Sequence, residues 1–176
     1  MDDIFDSCRV TLDVCIRPCR EDDLPALEWF GLFAPHRALI RKVFVQQQQG
    51  RALMLVVEVN GEASGQAWID WSARSTGAAE LWAVRILPCL QRQGLGARLV
   101  DVAERLAFAS GCAEMRLGVD TGSARARRFY ERLGYRYTAT AVTTHRTGAQ
   151  ASKQWLMAKA LSVTSNPVEV RHERAA

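Results

Sequence analysis

The stretch Gln91-Arg92-Gln93-Gly94-Leu95-Gly96 lies between an apolar segment and an amphipathic one, and it decides how the chain is interpreted. Residues 80 to 88 before it predict a largely buried strand that Pro88 ends, because proline has no N–H for a sheet ladder. After it, leucine and valine recur at helical spacing as far as Gly111, which predicts a helix with a glycine stop. The glycine-rich turn therefore joins the end of a strand to the start of a helix.

A turn of this kind is suited to holding phosphate. The first N–H groups of a helix have no partner within it, and glycine lets an anion approach them without interference from Cβ. The helix dipole adds partial positive charge at the same place. The alternative is a tight strand-to-helix turn without a ligand. The turn has neither the GxxxxGK[ST] pattern of nucleotide triphosphatases nor the GxGxxG pattern of dinucleotide-binding folds, which disfavours both classes.

The turn resembles the Q/R-x-x-G-x-G/A acetyl-CoA loop of the GNAT N-acetyltransferase superfamily. A second stretch, residues 123 to 135 (SARARRFYERLGY), is similar to the N-x-x-A-x-x-x-Y-x-x-x-G-F/Y helix of that family. It fits the pattern at Ala126, Tyr130, Gly134 and Tyr135. Ser123 stands where the family usually has asparagine. Independently of the resemblance, this stretch predicts a helix with Ser123 as its N-cap and one apolar face.

The resemblance implies an α/β fold of the GNAT acyl-CoA N-acyltransferase type, with a twisted mixed sheet flanked by helices. The order of elements predicted from hydrophobic periodicity, β-α-α-β-β-β-α-β-α-β-β, agrees with that architecture. At 176 residues the chain suits one domain with a substantial core. We expect a single GNAT N-acetyltransferase domain over residues 8 to 161 and a flexible C-terminal tail over residues 162 to 176.

Local patterns predict how the chain begins, where it makes a hairpin and how it ends. The first strand is expected over residues 10 to 17, followed by helical segments that contain Trp29 and Phe30. Asn60-Gly61 predicts a type I′ hairpin. The chain is expected to close with an antiparallel pair of strands joined by a loop over residues 143 to 152.

The resemblance also implies how acetyl-CoA, the acyl donor, is held. Backbone groups of Val84, Arg85 and Ile86 would pair with the pantetheine arm, and one N–H would polarise the thioester carbonyl. Ser123 would replace the usual asparagine contact to the cofactor. The residues that would hold the pyrophosphate are Gln91, Arg92, Gln93, Gly94, Leu95, Gly96 and Ala97.

Two side chains are candidates for proton transfer to and from the reacting groups. Tyr130 matches the tyrosine that many family members use to protonate the departing thiolate; alternatively it is a core aromatic. Glu80 lies eleven residues before Gln91, where some family members carry a glutamate general base. The alternative for Glu80 is a strand-end residue in contact with solvent or substrate. His36 and His145 are further candidate bases.

The arginines are concentrated in one part of the chain. Ten arginines and five acidic residues lie between Arg85 and Arg136, within a net charge of +4. A basic strip can bind nucleic acid, and it can also attract the phosphates of coenzyme A. The strip contains the phosphate turn and lacks interleaved aromatics, so it favours the cofactor.

The composition bears on the cellular location of the protein and on whether it binds a metal. The five cysteines are odd in number and lack CxxC spacing, which favours reduced thiols over a metal site or a disulfide framework. No run approaches the roughly 20 apolar residues of a membrane span, and the first residues are acidic, unlike a secretory signal. We therefore expect a cytoplasmic protein that binds no metal, with a homodimer among the expected states.

Three functions follow from these patterns. The first is an N-acetyltransferase that moves an acetyl group from acetyl-CoA to a primary amine of a small molecule or peptide, by direct attack of the amine on the thioester. The second is a catalytically silent CoA-binding regulator, suggested by Ser123. The third is a basic nucleic-acid-binding module. The acceptor pocket would come from three segments, residues 29 to 49, 68 to 78 and 143 to 152.

Overall fold

The computed structural model describes residues 11–144 and 151–162, which form a seven-stranded mixed sheet with helices against it. The strand order is β1-β2-β3-β4-β5-β7-β6. The predicted twisted mixed sheet flanked by helices is confirmed. The strands are β1 (Val14–Pro18), β2 (Ala52–Val59), β3 (Glu62–Asp70), β4 (Ala78–Ile86), β5 (Glu114–Asp120), β6 (Arg136–Thr144) and β7 (Ala151–Ala160), and the helices are α1 (Arg37–Gln48), α2 (Leu95–Ala109) and α3 (Ala124–Arg132).

The sheet is covered on both faces, which explains the apolar run in β2. Alternate residues of a strand point to opposite faces. Leu55 and Val57 belong to the cluster that includes Leu99 of α2, whereas Met54 belongs to the cluster that includes Ile40 of α1. We call these two sides the α2 face and the α1 face. None of the helices in the described ranges is long and apolar enough to cross a bilayer.

The beginning of the chain differs from the prediction. β1 starts at Val14, and residues 11 to 13 precede it without strand structure. Trp29 and Phe30 do not lie in a helix: they follow a short 3₁₀ turn and have φ values of 43° and 56°. Trp29 is buried and Phe30 is fully exposed. Hydrophobic spacing could not reveal this turn, because left-handed backbone in bulky residues depends on the surrounding packing.

The predicted hairpin and closing strand pair are both present. Asn60 and Gly61 have φ values of 51° and 87°, as a type I′ turn requires. β6 and β7 pair antiparallel, with Thr143 opposite Ser152. These strands extend into the segment predicted as a loop, whose residues 145 to 150 lie outside the described residues. His145 and residues 163 to 176 of the predicted tail lie outside them as well.

The feature that positions the site is the parting of β4 and β5. Their parallel pairing covers only Ala78–Glu80 against Glu114–Arg116. Beyond it, β4 continues along β3, and β5 continues along β7. Because strands normally lie about 4.8 Å apart and these two diverge, a cleft opens between them.

Candidate active site

A bulge in β4 lies beside this cleft. Trp68 pairs with Trp82, but Gln66 pairs with Arg85, so β4 contains one residue more than β3 over this stretch. Ala83 takes up the extra residue with a φ of 52°, outside the extended range. Before the bulge, Leu81 faces the α2 cluster; after it, Val84 and Ile86 do. The alternation of side chains is therefore shifted by one residue.

The cleft contains a cavity of about 980 Å³. It brings together Glu80, Val84 and Arg85 of β4 with Ser123 and Tyr130 of the α3 region. Residues from the segments predicted to form the acceptor pocket also line it, namely His36, Leu39, Trp68, Ala73 and Thr143. Residues up to 122 positions apart in sequence, from His36 to Ala158, thus meet at one opening in the sheet.

The glycine-rich turn follows β4 and leaves a row of N–H groups available. Gly94 is the N-cap of α2 and has a φ of 80°, which glycine adopts without strain. The Gln91 amide Nε2 donates to the Ile86 carbonyl at 2.9 Å and so ties the turn to the end of β4. The Ala97 N–H donates to Gly94 at 3.1 Å. Within the described chain, the N–H groups of residues 92 to 96 have no backbone acceptor.

Four arginines surround a second cavity, of about 580 Å³, next to this turn. They are Arg92, Arg125, Arg128 and Arg132. The last three recur at helical spacing on α3, so their guanidinium groups share one side of the helix. Arg127, on another side, pairs with Glu131 at 2.8 Å and lies over the Trp155 ring. The cavity is therefore strongly positive, which suits the phosphates of a ligand held by the turn.

Tyr130 has the environment of a protonated phenol. Its ring contacts Phe129 and Tyr135 edge-on, with centroids 5.0 Å and 5.6 Å apart. Removal from water raises the pKa of the Tyr130 phenol well above its ordinary value of 10. Because the hydroxyl forms no hydrogen bond with another described residue, its proton is available to a group in the cavity.

The remaining predicted side chains lie in or beside the cavity. Ser123 is the residue before α3, as expected of an N-cap, but its hydroxyl makes no capping hydrogen bond. The capping role predicted for its side chain is therefore wrong. The hydroxyl lies instead at the cavity wall, half-buried. Glu80 and His36 line the cavity from β4 and from the turn before α1.

Two parts of this site were missed by sequence reasoning. The α3 arginines were seen only as members of a basic strip, although their spacing is a helical signal that could have separated them from Arg127. The second part is the stacking of the Arg85 guanidinium on the Phe33 ring, 4.1 Å from its centroid. Nothing in the sequence signals this contact, because it depends on the bulge at Ala83 and on the irregular segment before α1.

Known proteins resemble this chain in sequence profile and in fold. Residues 19–135, more than half of the chain, match the profile of the acetyltransferase (GNAT) family. No curated protein sequence is detectably similar to the chain. Solved structures show the same fold over most of the chain's length.

Three of these structures illustrate how far the sequences differ while the fold is shared. An N-acetyltransferase from Staphylococcus aureus is 14% identical, with 85% of this chain and 99% of that chain covered and a TM-score of 0.71. The Salmonella typhimurium protein yncA, solved with its cofactor acetyl-CoA, is 22% identical, with 88% and 98% covered and a TM-score of 0.68. The ribosomal-protein-S18-alanine N-acetyltransferase of Escherichia coli is 24% identical, with 86% and 96% covered and a TM-score of 0.65.

The motif spacing, the parted strands and the profile match agree with one another. The resemblance inferred from the turn and from the Tyr130 helix is confirmed over a continuous region that includes both. This chain is a member of the acetyltransferase (GNAT) family.

Proposed function

We propose that this protein is an N-acetyltransferase that moves the acetyl group of acetyl-CoA to a primary amine of a small molecule or peptide. The observation that carries this proposal is the continuity of the site. A row of available N–H groups and an arginine-lined cavity lie at the end of β4, and the same strand borders a cleft containing Tyr130 and Glu80.

The residues fit acetyl-CoA in charge and in shape. The pyrophosphate would lie against the N–H groups of residues 92 to 96, where the start of α2 contributes positive potential. Arg92 and the α3 arginines would contact the phosphates through charge-assisted hydrogen bonds. The pantetheine arm would enter the cleft beside Val84, Arg85 and Ile86. Since β5 has left β4 at this point, backbone groups of β4 that face the cleft have no strand partner there.

Acetyl-CoA supplies an activated acetyl thioester, and the residues of the chain supply position and protons. An N–H of the β4 stretch after the bulge would polarise the thioester carbonyl. Tyr130, which is protonated at neutral pH, would give its proton to the departing sulfur. Because burial raises the pKa of the phenol and so makes it a weaker acid, this transfer depends on the sulfur lying within hydrogen-bonding distance of the hydroxyl. Glu80 would receive a proton from the acceptor amine, directly or through water. An alkylamine is mostly protonated at neutral pH, so a nearby acceptor for that proton raises the fraction of free amine.

A second candidate function is a catalytically silent CoA-binding protein. The observation that favours it is Ser123, whose short side chain lines the cavity where the family usually has asparagine. This alternative predicts binding of acetyl-CoA without transfer to any amine. A nucleic-acid-binding module has less support, because the arginine-lined cavity lies against the phosphate turn. The expectations of a cytoplasmic location and of a homodimer stay predictions.

Two measurements test the proposal. Isothermal titration with acetyl-CoA, with a duplex DNA and an RNA hairpin as comparison ligands, separates a CoA-binding protein from a nucleic-acid-binding one. A thiol-release assay over a library of amines then separates a transferase from a silent binder. We expect saturable binding of acetyl-CoA and amine-dependent release of thiol. Binding of acetyl-CoA with no release above hydrolysis for any amine would favour the silent regulator.

A further inference from the structure

Arg85 is a half-buried cation with no counter-ion among the described residues. Its guanidinium lies on the Phe33 ring and lines the cleft cavity. Burial lowers the pKa of the Arg85 guanidinium, and no neighbouring carboxylate offsets this effect among the described residues. Arg17 shows the contrast: it is also half-buried, and it pairs with Asp23 at 2.7 Å and with Glu58 at 2.5 Å. Buried charges in proteins are usually paired, so Arg85 departs from the rule that Arg17 follows.

The surroundings of Arg85 contain further donors and no described anion. The Phe33 ring also contacts Trp29, with centroids 5.3 Å apart, and the buried Trp29 Nε1 has no acceptor among the described residues. Gln66, the cross-strand partner of Arg85, uses its Oε1 to accept a hydrogen bond from Trp68 at 2.9 Å. The Gln66 Nε2 is buried and likewise has no acceptor in the described part of the chain. Of Arg85, Trp29 and Gln66, only Arg85 lines the cavity, and the buried groups behind it add donors without adding an acceptor for it.

The bulge at Ala83 places Arg85 on the face of β4 that Glu80 occupies. Trp82 and Ala83 pack against the α1 cluster, whereas Leu81, Val84 and Ile86 pack against the α2 cluster. Alternation along the strand then puts Glu80 and Arg85 on the α1 face. They are five positions apart along the strand, roughly 15 Å between Cα atoms, which two long side chains and a small molecule can span.

We propose that Arg85 binds an anionic oxygen group of the amine acceptor, so that the acceptor is a small zwitterion such as an amino acid or an aminoalkyl phosphonate. The inference rests on the proposed function and names its substrate class. The planar guanidinium offers paired donors that match a carboxylate, phosphonate or phosphate. The anionic group then lies at the Arg85 end of the cavity, and the amine points toward Glu80. The N-terminus of a peptide, whose carbonyl is an amide, lacks the anion that Arg85 requires.

The test compares amines that carry an anionic oxygen group with related amines that lack one. Binding of L-α-amino acids is measured by titration calorimetry beside their carboxamides, and binding of 2-aminoethylphosphonate and ethanolamine phosphate beside ethanolamine, each with and without CoA. We expect the anionic member of at least one pair to bind about tenfold or more tightly, the scale of a hydrogen-bonded charge pair. The carboxylate and phosphorus arms distinguish which anion is preferred.

Two variants assign the effect to one side chain. Arg85→Gln should reduce the preference for the anionic member to less than about threefold, which corresponds to the loss of that pair. Arg116→Gln is the matched control, since Arg116 lines the same cavity but already pairs with Glu114. It should retain the preference. An equal loss in both variants would show that the anion responds only to the overall positive charge of the cavity, and it would overturn the assignment to Arg85.

The titrations test the role of Arg85 independently of acetyl transfer. If no amine is acetylated, the transferase proposal fails, but the titrations still test Arg85. If amines are acetylated and neutral acceptors bind and react as well as anionic ones, the transferase proposal stands and the role of Arg85 is wrong. Failure of every anionic amine to bind would overturn it too.

Discussion

Glu80 and Arg85 face the same side of β4 although their positions differ by five, an odd number. In a regular strand such a pair points to opposite faces. The extra residue at Ala83, with its φ of 52°, reverses the alternation between them. Because of this bulge, a carboxylate and a guanidinium of one strand lie on the same face, and both line the cavity.

The turn at Gly94 should tolerate a side chain poorly for two separate reasons. Gly94→Val places a β-branched residue at a φ of 80°, costing roughly 1–2 kcal/mol in folding stability, and it crowds the N–H groups proposed to hold phosphate. We expect acetyl-CoA affinity to fall at least tenfold by titration calorimetry.

Gly111→Val is the matched control for this variant. Gly111 has a φ of 87° just beyond the other end of α2, and a Cβ there also meets open space. It should lose similar stability, measured by urea unfolding, and keep the parent affinity. If both variants bind acetyl-CoA equally, the phosphate-turn assignment fails.

The arginines of α3 should contribute unequally to cofactor binding. Arg128 lines the cavity next to the turn, whereas its neighbour Arg127 pairs with Glu131 on another side of the helix. Arg128→Gln should raise the dissociation constant of acetyl-CoA by about tenfold, since it removes a charge-assisted contact, and should weaken the salt dependence of binding. Arg127→Gln removes the same charge and should change neither the dissociation constant nor its salt dependence. Equal effects would indicate long-range attraction alone.

The hydroxyl of Tyr130 should matter for turnover more than for folding. Tyr130→Phe keeps the ring contacts with Phe129 and Tyr135 and removes a hydroxyl that bonds no other described residue. We expect kcat to fall by roughly 10² to 10⁴, the usual contribution of a general acid, with acetyl-CoA affinity near the parent value. An unchanged kcat, in conditions where chemistry limits the rate, would leave Tyr130 a packing residue.

The pH dependence of stability provides a second readout for Tyr130. Its pKa is raised in the folded state, so the folded state holds the phenolic proton more tightly than the unfolded chain does. This contribution is present below about pH 10, the ordinary pKa, and is lost as the pH rises toward the folded-state pKa. The free energy of unfolding of Tyr130→Phe should therefore fall less steeply above pH 10 than that of the parent.

Glu80 should determine how the rate of acetyl transfer depends on pH below the pKa of the amine. Glu80→Gln preserves shape but cannot take up a proton, so the rate at neutral pH should fall and recover as the pH approaches the pKa of the amine. Glu114→Gln is the control, because it removes a carboxylate from the same cavity at a residue that pairs with Arg116. Its profile should match the parent's. A parental profile for Glu80→Gln would direct attention to His36 or to water.

Local sequence determined much of the fold and part of the site. The turn at Gly94, the helix that carries Tyr130 and the hairpin at Asn60-Gly61 were all readable, because each depends on residues within a few positions of one another. Helix starts, glycine conformation and hydrophobic periodicity are short-range properties of the chain.

Tertiary structure alone decided which of these residues share a cavity. Phe33 and Arg85 meet only because the segment before α1 folds over β4 and because Ala83 shifts the strand by one residue. Trp29 and Phe30 look like helix residues by composition, yet packing holds them in left-handed turns. Strand register, bulges and the parting of β4 from β5 arise from contacts between distant segments. Sequence therefore determined the glycine-rich turn and the tyrosine helix, and the assembled sheet determined which side chains face the cleft.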